Sequence, residues 1–315
     1  MSQRRPRWPT NGRAPRRAVA HDQGDGRAKG ARVVDPVSHE ALALLAPIGA
    51  FRWEPMGHLR LGTLPKTQKW EHVVGLIAGG ADVERIAAAS ADAAERGLER
   101  ASQDQGLAHA FWLLTQIPQA ARQPDFADQL KRLGLEVSSK PTLLEIVAAF
   151  TGAVDRYVRT RGTRSDLGEM AQHAAAEMLT TLAGRELPSL FGPTVGDVQQ
   201  AFAKLGSSDR FSILARDFFS RLTSRSLGYF LSRELSKHVG PNKRFAAVSE
   251  HSDFNAALDL HCREASRIIK EFSGGWYGKT LFQEGDISPD KASQFAHVAF
   301  KKLRAELRKR RGSDA

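Results

Sequence analysis

One stretch of the chain, residues 207–240, predicts a single helix longer than most helices in a domain of this size. Its start carries Ser207 and Ser208, whose hydroxyls can accept hydrogen bonds from the free amides of a first helical turn. Its end carries Gly240, which tolerates the left-handed conformation of a helix stop, and then Pro241, which cannot continue a helix. Apolar residues recur between them at helical spacing. Such a helix would be roughly 45 Å long, so other helices must pack around it.

The rest of the sequence also shows helical rather than strand-like periodicity. Thr142 and Glu145 have the spacing of a capping box, and the Ser-Pro-Asp sequence at residues 288–290 is typical of a helix start. Residues 51–61 alternate in part, as in a small hairpin. We therefore predict an all-α fold, an irregular multi-helix bundle around the long helix at residues 207–240.

Composition divides the chain into four regions. Residues 1–35 are rich in Arg, Gly and Pro without periodicity, which predicts a disordered basic tail. Residues 36–185 and 195–315 predict an N-terminal and a C-terminal helical region, the second ending in a basic helix. Residues 186–194 contain two prolines and a glycine, and they are the best candidate for a hinge between the two regions.

The net charge of +11 is concentrated at the two ends of the chain. Residues 1–32 carry a net +7 and residues 301–311 a net +6, whereas residues 33–300 are close to neutral. Clustered cations release counterions from phosphate backbones, so this pattern is typical of tails that contact a polyanion. The alternative is that the basic ends only keep the protein soluble. The predicted contacts at the ends are Arg4, Arg5, Arg7, Arg16, Arg17, Lys301, Lys302, Arg304, Arg308, Lys309, Arg310 and Arg311.

Several classes of protein are disfavoured by what the sequence lacks. It has no run of about 18 apolar residues, so we expect no membrane contact, and no apolar segment follows the basic start as in a secretory signal. Cys262 is the only cysteine, which excludes an internal disulfide and a cysteine-cluster metal site. We expect a cytoplasmic protein in which Cys262 is a small buried thiol.

The segment GGWYGKT, residues 274–280, superficially resembles a phosphate-binding loop. Such a loop needs four residues between its glycines and lies between a strand and a helix, and neither condition holds here. We predict that a helix over residues 254–272 ends in a turn here, from which Trp276 and Tyr277 fold back onto the body. A second interpretation stays open, in which the two aromatic rings stack on a base or another partner and Lys279 supplies charge.

Two groups of carboxylates and imidazoles have residue types that can bind a divalent metal ion. Asp166, Glu169, His173 and Glu177 share one helix face, which is more typical of a solvated surface. The second group is a weak candidate whose spacing matches no metalloenzyme pattern, and it consists of His251, Asp253, His261 and Glu264. We therefore expect no metal and no cofactor, and there is no G-x-S-x-G motif of a serine hydrolase.

The long helix also carries a basic strip, in which Arg221 and Arg225 lie one turn apart and Arg233 and Lys237 repeat that spacing. Arginines beside serines can follow a phosphate backbone. Asp217 and Glu234 lie within one turn of these cations and could pair with some of them.

Two functions from different classes follow. The first is a non-catalytic helical accessory or adaptor protein of a multi-component bacterial system, a setting suggested only by the style of composition. It would contact nucleic acid or an acidic protein surface through its basic ends and would bind other protein subunits. The second is a metal-dependent enzyme that acts on phosphate esters through a carboxylate and histidine site. The first function needs only charge and helices, so we expect a protein without catalytic activity. Deletion of residues 1–32 and 301–315 should leave its melting temperature nearly unchanged.

Overall fold

Helices form nearly all the regular structure of the described residues, as the periodicity of the sequence predicts. The computed structural model describes residues 66–94, 104–161, 164–188 and 192–310. Within these ranges no strand forms, and Val239 and Phe245 make only an isolated bridge. The all-α prediction is therefore confirmed. The helices are α1 (Gln68–Ala78), α2 (Val83–Ala93), α3 (Gln105–Ala120), α4 (Phe126–Arg132), α5 (Leu143–Arg161), α6 (Asp166–Gly184), α7 (Val195–Leu205), α8 (Ser208–Leu235), α9 (Val248–Ala265), α10 (Arg267–Glu284) and α11 (Pro289–Arg310).

The long helix α8 begins where the sequence predicts but ends earlier. The Ser207 hydroxyl accepts a hydrogen bond from the Arg210 amide, which confirms the predicted cap. The predicted end at Gly240 is wrong, because residues 236–238 form one 3₁₀ turn after the helix. The Phe245 amide then donates to the His238 carbonyl at 3.0 Å, which draws the chain back instead of extending the helix. Its 28 residues give α8 a length of about 42 Å.

The centre of the core is an aromatic cluster around Phe111 of α3. Its ring centroid lies 5.3 Å from that of Phe219 on α8 and 5.2 Å from that of Phe295 on α11. Phe211 and Phe218 of α8 complete the cluster. These rings are fully or almost fully buried. Large buried rings remove much apolar surface from water, so the three helices that carry them form the framework of the fold.

The core is shared by helices on both sides of the predicted hinge. α6 packs against α8, and α3 packs against α11. All the described residues belong to one compact unit, Trp53–Ala315. A hinge at residues 186–194 stays a prediction, as do the disordered tail at residues 1–35 and the hairpin at residues 51–61, which lie outside the described residues.

The predicted helix over residues 254–272 is in fact two helices. α9 ends at Ala265 and α10 begins at Arg267, and the Ser266 hydroxyl between them donates to the Cys262 carbonyl. The turn predicted at residues 274–280 is wrong, since α10 continues without a break to Glu284. The reason is tertiary: Gly274 and Gly278 lie on one face of α10 and allow the first turn of α8 to approach closely at Ser208.

Candidate nucleic-acid interface

The basic strip of α8 is part of a regular pattern that the cations alone do not reveal. A serine or glycine is followed by a cation or a tyrosine five times at intervals of four residues, four times within α8 and once in the 3₁₀ turn that follows it. Four residues advance about 6 Å along an α-helix, so the members of the pattern form a nearly continuous line. We call this line the strip; its pairs are Ser220-Arg221, Ser224-Arg225, Gly228-Tyr229, Ser232-Arg233 and Ser236-Lys237. The place of Gly228 and Tyr229 in the strip was not predicted, although the interval of four is visible in the sequence.

The N-terminal part of the strip forms one side of a cleft with a volume of about 510 Å³. From the strip, three serines, the first two arginines and Gly228 line the cleft. The facing sides of the cleft come from α6 and α9. The lining residues are Ser220, Arg221, Ser224, Arg225, Gly228 and Ser232 of α8, Glu177 of α6, and Asn255, Leu258, Asp259 and Arg263 of α9. The cleft thus brings Arg263 beside the two arginines that the sequence singles out.

Carboxylates already hold the first two arginines of the strip. Arg221 Nε donates to Asp217 at 2.8 Å and Arg221 Nη1 to Glu177 at 3.1 Å, while Arg225 also donates to Glu177. Burial by itself would lower the pKa of the Arg221 guanidinium, but the hydrogen bonds and charges of Asp217 and Glu177 raise that pKa overall. The predicted pairing with Asp217 is confirmed. Glu177, assigned to a solvated face, is the counterion of both arginines.

The facing side of the cleft contributes one further cation without a counterion. Ser224 donates to Asp259, which fixes the serine at the α9 side. Arg263, one turn along α9 from Asp259, is exposed, and its guanidinium makes no ion pair within the described residues. Three guanidinium groups therefore line the cleft, and Arg263 is the one left without a carboxylate.

The C-terminal part of the strip carries an aromatic ring beside a cation. The Arg233 guanidinium carbon lies 5.4 Å from the centroid of the half-buried Tyr229 ring. Phe230 contacts that ring edge-on, with centroids 5.4 Å apart. A Cβ atom on neighbouring Gly228 would meet nothing within 4 Å, so the surface above it is open. Lys237 pairs with Glu234 at 2.7 Å, as predicted.

The basic end of α11 is one side of a packed helix and not a tail. Leu303 and Leu307 are each 1% exposed and pack in the core. On the other side Lys301 and Lys302 are exposed, and Lys302 Nζ lies 5.3 Å from the centre of the Phe272 ring. The expectation that removal of residues 301–315 leaves stability unchanged is therefore wrong.

Part of the positive charge of α11 is compensated. Arg308 pairs with Asp92 of α2, and Arg310 with Glu306 at 3.4 Å. Arg304 is half-buried and Lys309 is exposed. The remaining predicted contacts at the ends lie outside the described residues, namely Arg4, Arg5, Arg7, Arg16, Arg17 and Arg311.

The aromatic residues of α10 belong mainly to the core. Tyr277 is completely buried and stacks on Phe211 with centroids 3.8 Å apart. Burial raises the pKa of its phenol to about 12. A partner cannot reach Tyr277 in this fold, so the predicted contact there is wrong. Trp276 is half-buried against Phe295, and Lys279 is exposed.

The metal candidates do not form a site in the described part of the chain. No group of three or more His, Cys, Asp or Glu side chains in it is arranged to hold a metal ion. His251 contacts Asn255 and the Phe245 ring, whereas His261 is buried with Nδ1 4.0 Å from Glu84, and Glu264 pairs with Arg267. His251, Asp253, His261 and Glu264 therefore do not converge on one metal ion, and that candidate is wrong.

The stripe of α6 does not converge on one ion either. Asp166, Glu169, His173 and Glu177 of that helix form no such group. Glu177 instead binds two arginines, as described above.

Cys262 is a buried thiol, as predicted, and its burial raises the pKa of its sulfur to about 12. At neutral pH it therefore stays protonated, which leaves it a poor nucleophile.

Two further observations concern membrane spans and similarity to known proteins. No helix of the described residues is long and apolar enough to cross a membrane. Comparison of the chain with protein-family models, with curated proteins and with solved structures found no match.

Proposed function

We propose that this chain is a non-catalytic helical accessory protein that binds nucleic acid through the strip of α8. The basic N-terminal segment and the exposed lysines of α11 would add further contacts. The observation that carries the proposal is the strip itself, in which serines and arginines recur at intervals of four residues along α8 and line one cleft. Phosphate oxygens accept hydrogen bonds from both kinds of donor, and arginine can bind them bidentately.

The setting remains as the sequence suggests. We propose a cytoplasmic protein of a multi-component bacterial system, in which other protein subunits bind surfaces away from the strip. A metal-dependent phosphoesterase is the less favoured alternative, because the described residues bring no carboxylate and histidine cluster together.

The test is the salt dependence of binding to labelled oligonucleotides. Fluorescence anisotropy measures the affinity at salt concentrations between about 50 and 200 mM, since phosphate contacts are strong at the lower end of this range. Arg225→Gln and Arg263→Gln should each weaken binding and lower the slope of log K against log salt by about 0.7 for a single strand. Arg132→Gln is the matched control, since Arg132 is an exposed arginine on α4 paired with Asp125.

The outcomes separate the possible partners. Loss of affinity in both cleft variants, with the control unchanged, supports the proposal. If the protein binds no oligonucleotide even at low salt but is retained by polyglutamate, the partner is an acidic protein instead. If only removal of residues 1–32 abolishes binding, the contact belongs to the N-terminal segment and the strip is not the site.

A further inference from the structure

We infer that the cleft beside the strip binds the phosphorylated end of a nucleic-acid strand. The inference rests on the proposed function and names the part of the nucleic acid that the cleft selects. A terminal phosphate carries a charge of about −1.5 to −2 at neutral pH and three acceptor oxygens. An internal phosphodiester carries a single negative charge and has fewer free oxygens. The end of a strand is therefore the part that a group of converging guanidinium groups binds best.

Guanidinium groups from two helices are available to such a phosphate. Arg225 of α8 donates to Glu177 through Nη2, which leaves its Nε and Nη1 for a ligand. Arg263 of α9 lines the same cleft, and its guanidinium has no carboxylate partner among the residues that the structure describes. Because a guanidinium can bind phosphate oxygens bidentately, these two arginines can share the three oxygens of a terminal phosphate.

Side chains bridge α8 to both neighbouring helices at the N-terminal end of the cleft. On the α6 side, Arg221 donates through Nη1 to Glu177 at 3.1 Å and through Nη2 to Thr181 at 3.4 Å. On the α9 side, Arg216 Nη2 donates to the Arg263 carbonyl at 3.2 Å. A strand that continued along the cleft past this point would have to break these bridges, so its path ends there.

The other end of the cleft is open toward the rest of the strip. Gly228 lines the cleft at this end, and a Cβ atom on it would meet nothing within 4 Å. Arg263 lies toward the bridged end, because α9 runs past α8 in the opposite direction, with Asp259 at Ser224 and Arg263 at Arg216. A strand can thus enter over Gly228 and end at Arg263. The volume of about 510 Å³ suits a terminal phosphate and its nucleotide.

A second cleft of similar size shows what distinguishes this one. It lies between the start of α8 and the junction of α9 with α10, and its volume is about 580 Å³. Its three cations are matched by three carboxylates, the six residues being Arg216, Arg267, Lys270, Asp209, Glu264 and Glu271. In the cleft of the strip, three arginines face only Glu177 and Asp259. Lys270, which is exposed, therefore offers a matched control for the loss of one cation from a cleft.

The experiment compares oligothymidines of one length, labelled internally, with a 5′-phosphate, a 3′-phosphate or hydroxyl groups at both ends, at one salt concentration. The full chain should bind a phosphorylated strand about tenfold more tightly than the hydroxyl strand, as one further charge-assisted hydrogen bond predicts. Arg263→Gln should reduce this advantage to about twofold or less, because the cation without a counterion is gone. Lys270→Gln should keep the advantage of the wild type.

The results distinguish this inference from the proposed function. If Arg225→Gln weakens binding but neither terminal phosphate strengthens it, or if Arg263→Gln keeps the advantage, the end-binding site is overturned and the proposed function stands. If thymidine 5′-monophosphate displaces the phosphorylated strand at equal concentration, the cleft binds free mononucleotides and the inference is overturned. If no oligonucleotide binds at all, both fall. Circular dichroism melting of every variant separates lost binding from lost folding.

Discussion

Gly274 of α10 lies so close to Ser208 of α8 that a Cβ atom on the glycine would be 2.6 Å from the Ser208 carbonyl oxygen. Gly278, one turn further, has the same relation to the Ser208 hydroxyl, at 2.5 Å. Two glycines at this interval let two helices approach more closely than side chains would permit. The contact joins the start of α8 to the helix that carries the buried Tyr277.

We therefore expect Gly274→Ala to destabilise the protein by about 1–3 kcal/mol, because the backbone of α8 would have to move. Gly275→Ala is the control: a Cβ atom there meets nothing within 4 Å, so alanine should stabilise the helix by about 0.5–1 kcal/mol. Urea denaturation of the two variants measures the difference. Equal stabilities would show that α10 does not pack against α8 in this way.

Glu177→Gln should strengthen nucleic-acid binding several-fold. The carboxylate of Glu177 holds both Arg221 and Arg225, so its removal frees the Arg225 guanidinium and one end of the Arg221 guanidinium for phosphate. The same change should cost only about 0.2–1 kcal/mol of stability, since Glu177 is half exposed and Arg221 keeps Asp217. Anisotropy titrations and denaturation measure the two effects. Glu136→Gln removes an exposed carboxylate that pairs with Arg156, and tighter binding in that variant too would point to net charge alone.

Shortening of α11 should destabilise the protein, whereas neutralising its surface should not. Leu303→Ala and Leu307→Ala should each cost about 2–5 kcal/mol, because both side chains are buried. The triple change of Lys301, Lys302 and Lys309 to glutamine should leave the melting temperature within a few degrees of the wild type, since exposed charges contribute little. A large drop in the triple variant would contradict the division of α11 into a buried and a basic face.

His109 should make the protein less stable as the pH falls below neutral. Burial, and then the charge of Arg161, lower the pKa of its imidazole from 6.5 to about 4. His109 therefore binds a proton near pH 6.5 in the unfolded chain but only near pH 4 in the folded chain. The folded state consequently loses stability as the pH falls from about 6.5 to about 4. We expect a loss of about 1–2 kcal/mol, because solvent screens part of the effect at a half-buried ring.

The variant His109→Phe keeps a ring beside Tyr157 but cannot titrate, so its stability should fall less between pH 6.5 and 4. His297→Gln changes an exposed histidine and should follow the wild type. Denaturation midpoints at four or five pH values measure the effect. Parallel curves for His109→Phe and the wild type would show that His109 titrates normally.

Local signals carried the prediction of the fold, and contacts between distant residues limited it. Ser207 caps α8 through residues three positions away, and helical spacing of apolar residues is enough to predict an all-α protein. Gly274 and Gly275 read locally as a helix stop, because Ser208, the close neighbour of Gly274, is remote in sequence. The far sides of the cleft were likewise not visible: Glu177 lies 44 residues from Arg221, and Asp259 lies 35 residues from Ser224.

The interval of four residues in the strip has a geometric consequence for any strand that follows it. Four residues rotate by about 400° around an α-helix, so each pair is turned about 40° from the one before. From Arg221 to Arg233 the line therefore winds right-handed through about 120° while it advances about 18 Å. Only its first part faces the cleft, and Arg233 and Lys237 point progressively away from it. A strand in contact with every pair on α8 would have to wrap about a third of the way around the helix.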